Sequence, residues 1–314
     1  MTLTELRYVV AVARERHFGR AAQACHASQP TLSVAIRKFE QELGVRLFER
    51  GVTEVTPTAI GEQIIAQAQH VLEQAGALRE IARQGRDPLH GPLRLAAIYT
   101  VGPYLLPALV RQLQRDVPQM PLLLNENFTV RLLELLRNGE IDAAVMALPL
   151  PEAGLAVQPL YDEPFVVAVP RDHPWAGRKT VAVEELAGQT TLLLGAGHCF
   201  RDQVLDACPE LQRNSAADES RKSIEGSSLE TIRQMVASGI GVAVLPCTSV
   251  PERVRRDSLI AYISFRRPVP SRRVVLAWRK SFTRAPAVAA VCAAVSRCNL
   301  PGARKLEVPG RVFS

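Results

Sequence analysis

The first 50 residues repeat apolar positions at helical spacing and predict three short helices joined by tight turns. The first helix holds apolar residues three and four positions apart, from Leu6 to Ala13. A second short helix covers residues 19–25. The third begins after Ser28, a favourable N-cap, and runs to about Leu43. The pattern predicts a small helical domain at the N-terminus.

One long helix is predicted over residues 58–84, because its apolar positions follow a heptad pattern. These positions are Ile64, Ala68, Val71, Ala75, Leu78 and Ala82. Two interpretations are open: the helix packs on its own domain, or it joins two copies of the chain. The polar residues Gln74, Arg79 and Glu80 lie off the seam and favour a dimerising helix. Proline and glycine within residues 84–92 then end it.

From Leu93 onward, strands and helices alternate, which predicts an α/β domain with largely parallel strand pairing. A stretch of this length fits two α/β lobes with a cleft between them. Residues 301–314 lack the pattern and are predicted to form a loose tail. The whole chain is therefore predicted to be a multidomain α+β protein.

The composition is ordinary for a globular protein, with 47% hydrophobic and 22% charged residues. No apolar run approaches the roughly 20 residues that a membrane helix needs, and no signal peptide is recognisable at the N-terminus. We therefore expect a cytoplasmic protein with no membrane partner. The net charge is +7, but residues 1–60 have a net charge of only +2 and residues 201–314 have +9. Because the excess lies away from the N-terminal helices, net charge is not an argument for nucleic-acid binding there.

Six cysteines are spread along the chain: Cys25, Cys199, Cys208, Cys247, Cys292 and Cys298. Cytosolic thiols are kept reduced, so a structural disulfide framework is not expected. The sequence contains no C-x-x-C pair and no close His/Cys cluster, so we predict neither a metal site nor a cofactor.

The third predicted helix carries the side chains that a DNA-reading helix needs at its N-terminal end. Ser28 and Pro30 suit its N-cap and first turn. Residues suited to base edges come first, at Gln29, Thr31 and Ser33, and residues suited to phosphates follow, at Arg37 and Lys38. An ordinary amphipathic three-helix domain is the alternative.

Three strand ends meet predicted helix starts that carry hydroxyl groups, in residues 99–102, 127–129 and 226–229. Helix N-termini suit small polar or anionic ligands. Simple N-capping explains any one of them equally well. Three together at the carboxyl ends of strands point to a ligand cleft.

Cys199 lies at the predicted start of a helix, with His198 before it and Arg201 close behind. A neighbouring cation or a helix N-terminus lowers the pKa of a thiol, and the thiolate is the form that peroxide oxidises. These features predict a reactive thiol at Cys199.

Cys208 follows nine positions later on the same predicted helix. At about 1.5 Å per residue, the two Cα atoms would lie roughly 13 Å apart, with the side chains on opposite faces. A disulfide needs Cα atoms within about 7 Å. Joining the two sulfurs would therefore require the helix to unwind, and the new shape would be a signal. The alternative is that both residues are small buried core residues.

The N-terminal segment LTELRYVVAVARERHFGRAAQACHASQPTLSVAIRKFEQELGVRLFER resembles that of LysR-type transcription regulators. The resemblance implies binding to double-stranded DNA, action with RNA polymerase, and assembly as a homodimer or homotetramer. It also implies a periplasmic-binding-protein-like effector domain. The implied parts are a winged helix-turn-helix (1–58), a linker/dimerisation helix (59–86) and an effector domain (91–300), whose lobe I spans 91–162 and 266–300 and whose lobe II spans 163–265.

The wing of this domain departs from the family pattern. Arg50 is the last basic residue before it and is expected to contact DNA. The following residues, 51–54, read GVTE, where the family usually has basic side chains. Fewer wing contacts to phosphate are therefore expected.

The segment GHCFRDQVLDAC, together with AIYTVGPYLLP, NENFT and SSLETIRQMVASGIGVAVLP, is similar to the hydrogen-peroxide-sensing OxyR branch of this family. The similarity implies that Cys199 forms a sulfenic acid and that Cys208 resolves it to a disulfide. A thiol reductant, glutaredoxin or thioredoxin, would then reset the protein. The implied peroxide pocket contains Thr100, Thr129, His198 and Arg266.

Three hypotheses follow from these patterns. The first is a transcription activator of the oxidative-stress response that senses hydrogen peroxide through Cys199 and Cys208. The second is a LysR-type regulator that binds a small organic metabolite in the cleft between the lobes. The third, an enzyme with Cys199 as nucleophile and His198 as base, is disfavoured because adjacent residues seldom face each other as such a pair must.

Overall fold

The computed structural model describes residues 1–50, 55–84, 87–150, 154–209, 211, 224–251 and 259–306. Contacts between residues divide the chain into two compact units, Met1–Arg86 with Arg137–Gly139 and the rest of the chain. Within the described ranges, no helix is both long and apolar enough to cross a membrane.

The N-terminal unit packs three helices and an antiparallel hairpin around one core. Its elements are α1 (Leu3–Glu15), α2 (Phe18–Ala24), α3 (Gln29–Leu43), β1 (Phe48–Arg50) and β2 (Val55–Pro57). A capping box fixes the start of α1, since the Thr2 hydroxyl accepts from the Glu5 N–H and the Glu5 carboxylate accepts from the Thr2 N–H. Gly44 ends α3 at φ +71°, a left-handed conformation that favours glycine. This is a helix-turn-helix with a two-stranded wing, as predicted.

The long helix α4 (Ala59–Gln84) changes its surroundings along its length. In its first half, the predicted seam residues Ile64, Ala68 and Val71 pack against the helix-turn-helix core. Further along, Leu78 is 69% exposed. The interpretation that the helix packs on its own domain therefore holds for the first half. The second half leaves an apolar seam residue uncovered.

Lobe I of the effector domain is built on a core of buried residues from 93–161 and 274–300, called here the lobe I core. The elements of lobe I are β3 (Leu93–Ile98), α5 (Gly102–Asp116), β4 (Leu122–Asn127), α6 (Thr129–Arg137), β5 (Ala143–Ala147) and α9 (Ala285–Arg297). Strand β3 pairs in parallel with β4 and β5, as the alternating sequence pattern predicts.

Lobe II has a separate core of buried residues within 165–265, called here the lobe II core. The elements of lobe II are β7 (Thr180–Val181), β8 (Thr191–Leu194), α7 (Cys199–Ala207), β9 (Glu225–Gly226), α8 (Leu229–Ala237), β10 (Val242–Pro246) and β11 (Ile260–Phe265), with 3-10 helices at Val183–Gly188 and Cys247–Ser249. Strand β8 pairs in parallel with β10 and with β9.

One long strand runs through both lobes. Strand β6 (Leu155–Pro170) pairs antiparallel with β12 (Ser271–Arg279) in its first part and with β10 and β11 in its second. The expectation of largely parallel pairing is therefore wrong at the centre of the domain. A strand that leaves one lobe and a strand that returns to it run in opposite directions, which makes their pairing antiparallel.

The predicted loose tail does not begin at residue 301. Residues Arg304–Lys305 form strand β13, which pairs antiparallel with β6, and the Leu306 N–H donates to the Leu160 carbonyl at 3.0 Å. Arg304 also pairs with Asp162 at 2.6 Å. Residues 301–306 therefore belong to the folded domain, and residues 307–314 lie outside the described part of the chain.

Candidate functional site

Helix α3 presents the polar side chains that the sequence assigns to DNA. The Ser28 hydroxyl caps it by accepting from the Thr31 N–H at 3.3 Å, and Pro30 occupies the first turn. Ser33 is half-buried. The remaining predicted side chains on this helix are exposed, namely Ser28, Gln29, Pro30, Thr31, Arg37 and Lys38.

The opposite face of α3 holds the domain together. Leu32, Ile36 and Phe39 are at most 1% exposed and sit in the core. Val34 shares the outward face and is 63% exposed. The sequence patterns gave no sign of this apolar side chain among the polar ones. Arg50 ends β1, but its side chain and the wing residues 51–54 lie outside the described residues.

Helix α7 begins at Cys199, as predicted, and it lies between the two cores of the effector domain. Phe200, Val204 and Cys208, spaced four residues apart, belong to the lobe II core. Cys199 packs instead against the lobe I core. Gln203, one turn after Cys199, donates from Nε2 to a lobe I backbone carbonyl at 3.0 Å. Each face of the helix is therefore occupied by a different lobe.

The two thiols differ in environment as well as in direction. Both are free. Cys199 is half-buried at the N-terminus of α7, whereas Cys208 is 0% exposed at its C-terminal end. Burial raises the pKa of Cys208 to about 11, so this thiol stays protonated at neutral pH. The helical spacing of nine residues corresponds to roughly 13 Å between the Cα atoms.

His198 is the N-cap residue of α7, but it does not act as a cation. Its ring is buried and packs edge-on against Phe128 at 4.8 Å and Tyr99 at 6.0 Å. Burial lowers its pKa, and a hydrogen bond to the Ser227 backbone opposes that effect only in part. The ring is therefore neutral at neutral pH.

Arg201 also directs its charge away from the thiol. It donates to the Leu194 carbonyl at 2.9 Å and forms an ion pair with Glu225. The prediction that a neighbouring cation activates Cys199 is therefore not supported by either side chain. His198, the N-cap residue of α7, makes no side-chain hydrogen bond that caps the helix.

Thr100 is buried and bound by an arginine that the sequence did not single out. Arg272 on β12 donates to the Thr100 hydroxyl at 2.8 Å and to the Thr100 carbonyl at 2.9 Å. Its Nε donates to Glu163 on β6 at 2.6 Å, and both side chains of this ion pair are 0% exposed. The guanidinium also lies over the ring of Phe200, 4.9 Å from its centroid.

The structure corrects the prediction for Arg266. This side chain is 59% exposed and lies 3.8 Å from Glu185, near the 3-10 helix of lobe II. Its backbone N–H is bonded to Val181, which directs the end of β11 towards β7. The arginine that contacts a predicted pocket residue is Arg272 near the start of β12, which donates to the Thr100 hydroxyl and carbonyl.

The hydroxyl groups at the three helix starts differ in their hydrogen bonding. Ser228 is an ordinary N-cap of α8, because its hydroxyl accepts from the Thr231 N–H at 3.1 Å. Thr100 is bound by Arg272. The Thr129 hydroxyl, at the start of α6, is buried and has no hydrogen-bond partner among the described residues. An unpaired buried hydroxyl is costly, which suits a site that binds a small polar molecule.

Gln203 is a second residue that the sequence patterns missed. Its Oε1 is buried and, within the described ranges, has no hydrogen-bond partner. Its position four residues after Cys199, on the same face of a helix, was the available signal. No comparable signal existed for Arg272, which is distant from α7 in sequence and adjacent only in the fold.

Known protein families match both parts of the chain. Residues 3–62 match the bacterial regulatory helix-turn-helix protein family, lysR family. Residues 86–298 match the LysR substrate binding domain. Together they cover the helix-turn-helix and both lobes.

Curated relatives are similar over most of the chain. A hydrogen peroxide-inducible genes activator of Pectobacterium carotovorum is 43% identical over 89% of this chain and 90% of its own length. The DNA-binding transcriptional dual regulator OxyR of Escherichia coli is 42% identical over the same shares.

Solved structures agree with this comparison. Full-length OxyR C199D from Pseudomonas aeruginosa has a TM-score of 0.76 and 50% identity, covering 98% of this chain and 99% of that one. A reduced form of OxyR from N. meningitidis has a TM-score of 0.65 and 42% identity, covering 69% of this chain and 100% of that one. The chain belongs to the LysR family of bacterial helix-turn-helix regulators, within its OxyR branch.

Proposed function

We propose that this chain is a DNA-binding transcription activator of the oxidative-stress response that senses hydrogen peroxide through Cys199 and Cys208. One observation carries the proposal: the two free thiols lie at the two ends of α7 and contact different cores. The names of the relatives, which are hydrogen peroxide-inducible genes activators, support the same stimulus. The α/β lobes would then act as a peroxide sensor attached to a DNA-reading domain.

In the first step, the Cys199 thiolate attacks one oxygen of the peroxide. The O–O bond breaks, Cys199 becomes a sulfenic acid, and the second oxygen leaves as water after taking a proton. We assign the peroxide pocket to Thr100, Thr129 and His198, with Gln203 in addition. Among the described residues, the Thr129 hydroxyl and the Gln203 carbonyl have no hydrogen-bond partner, so both would be able to bind peroxide, which donates and accepts hydrogen bonds.

In the second step, Cys208 attacks the sulfur of the Cys199 sulfenic acid. The S–S bond forms, and the sulfenic oxygen leaves as water with the proton of Cys208. Since the helical spacing exceeds the reach of a disulfide, α7 must unwind first. Unwinding also withdraws Cys208 from the lobe II core, where burial keeps it protonated. A thiol reductant such as glutaredoxin or thioredoxin would reverse the bond by exchange.

We assign DNA recognition to α3. Gln29, Thr31 and Ser33 would contact base edges in the major groove, and Arg37, Lys38 and Arg50 would contact phosphates. Two copies joined through α4 would place two such helices on one duplex, and two dimers would form the tetramer. The exposed Leu78 is suited to that contact between copies. RNA polymerase would be the partner that receives the signal.

The test is thiol mapping by mass spectrometry on the full chain, before and after one equivalent of hydrogen peroxide. We expect a Cys199–Cys208 crosslink to appear before any change at the other thiols. Burial raises the pKa of each of the other thiols, Cys25, Cys247, Cys292 and Cys298, which slows their oxidation. Oxidation of another cysteine first, or no crosslink, would contradict the proposal.

The Cys199→Ser variant separates this function from the other two. The variant should fold and bind DNA but lose its response to peroxide. A variant that still responds would favour a regulator that detects a metabolite in the cleft. Repeated turnover of peroxide by the wild-type chain without added reductant would favour an enzyme.

A further inference from the structure

Phe200, the residue directly after Cys199, makes buried contacts that neither step of the proposed thiol chemistry uses. Phe200 is 2% exposed, and its ring packs edge-on against Phe165 of β6 with centroids 5.1 Å apart. Its face receives the guanidinium of Arg272 at 4.9 Å. Aromatic pairs and cation–π contacts of this geometry are favourable, and the cation–π contact is stronger when it is desolvated.

Phe200 also covers a buried ion pair. Glu163 and Arg272 are both 0% exposed, and Arg272 also donates from each of its two terminal nitrogens to Thr100. The Phe200 ring stabilises the Arg272 guanidinium in this buried setting through the cation–π contact. Withdrawal of the Phe200 ring would open one side of this pair.

Any path to the disulfide must move this ring. Phe200, Val204 and Cys208 lie on one face of α7 and share the lobe II core. When α7 unwinds so that the two sulfurs meet, Phe200, which directly follows Cys199, cannot stay packed in the lobe II core. The first step has no such requirement, because Cys199 is only half-buried while the helix is intact.

We infer that Phe200 is the positioning residue that holds α7 in the reduced conformation, and that its release limits the closure of the Cys199–Cys208 disulfide but not the formation of the sulfenic acid. This inference rests on the proposed function. Gln203 contributes less, because its one hydrogen bond to the Leu148 carbonyl joins neutral groups.

The first measurement isolates the sulfenic acid. In a Cys208→Ser background, which lacks the resolving thiol, the sulfenic acid is trapped with a dimedone-type reagent and followed by intact mass. We expect Phe200→Leu in this background to form the sulfenic acid at the rate of the unmodified background.

The second measurement isolates closure. With both thiols present and peroxide in excess, the rate of Cys199–Cys208 crosslinking becomes independent of peroxide concentration. We expect Phe200→Leu to raise this rate by on the order of tenfold, because leucine keeps the site apolar but lacks the aromatic contacts. Phe200→Met has about the volume of leucine on a more flexible side chain and should change the rate in the same direction, which provides a second variant if Phe200→Leu folds poorly.

The matched control is Phe265→Leu. Phe265 is also 2% exposed and lies in the same core, but it belongs to β11 rather than α7. This variant should lose a similar amount of stability and leave closure at the wild-type rate. Equal acceleration in both variants would show general loosening of lobe II and would overturn the inference, as would unchanged closure in both Phe200 variants.

These outcomes can be told apart from failure of the proposed function. If the wild-type chain forms no Cys199–Cys208 crosslink, the proposed function itself fails. If the wild type closes normally and the Phe200 variants close at the same rate, only the role of Phe200 is lost.

Discussion

Helices α3 and α7 both start with residues to which we assign a function, but the packing around the two helices differs. Helix α3 has a serine N-cap, one buried face and one exposed face. Helix α7 has nine residues, no side-chain cap in the described part of the chain, and a different lobe on each face. A helix this short is marginal by itself, so its stability comes from the packing around it. Under the proposed function, α3 would persist while α7 would be released.

The first prediction tests the buried face of α3. Phe39→Ala should destabilise the N-terminal unit by about 3–5 kcal/mol, because it removes a large side chain that is 1% exposed. Urea unfolding measures this change. Val34→Ala on the exposed face of the same helix is the control and should change stability by less than about 0.5 kcal/mol. Similar losses in both variants would mean that the two faces of α3 are not distinct.

The second prediction tests the exposed face. Gln29→Ala should leave unfolding unchanged, yet cost about 1–3 kcal/mol of specific DNA binding and relax selectivity at one base pair. Lys38→Ala should instead weaken binding to all sequences and reduce the salt dependence by about one counterion. Binding titrations at several salt concentrations separate the two. A Gln29→Ala protein with unchanged selectivity would remove this residue from base recognition.

The third prediction tests the buried end of α7 and is confined to alkaline pH. Burial raises the pKa of Cys208 from 9.0 to about 11 in the reduced fold. A thiol with a raised pKa contributes stability that is complete below pH 9 and is lost as pH rises towards 11. The urea midpoint of the reduced protein should therefore fall more steeply over this window than that of Cys208→Ser. Parallel slopes would contradict the assigned environment of Cys208.

Much of the two helices was predictable because their signals are local. Ser28 and Gly44 mark the ends of α3, and the apolar spacing between them marks its buried face. The start of α7 at Cys199 was likewise readable from the sequence. The error at Arg266 had a different origin, since a resemblance between sequences does not fix which arginine reaches a site. The continuity of strand β6 across the predicted lobe boundary at 162/163 was also not predicted, because a strand that serves two lobes has no local marker.

The amino-acid sequence by itself determined the helix-turn-helix, the long helix, the two-lobed α/β domain and the nine-residue interval between Cys199 and Cys208. These features follow from periodicity and capping, which act over a few neighbouring residues. The tertiary structure alone decided that α7 lies between two cores, that His198 is neutral, and that Arg272 joins Thr100, Glu163 and Phe200. Burial and the direction of buried charges depend on residues far apart in the chain, so they exist only once the lobes have formed.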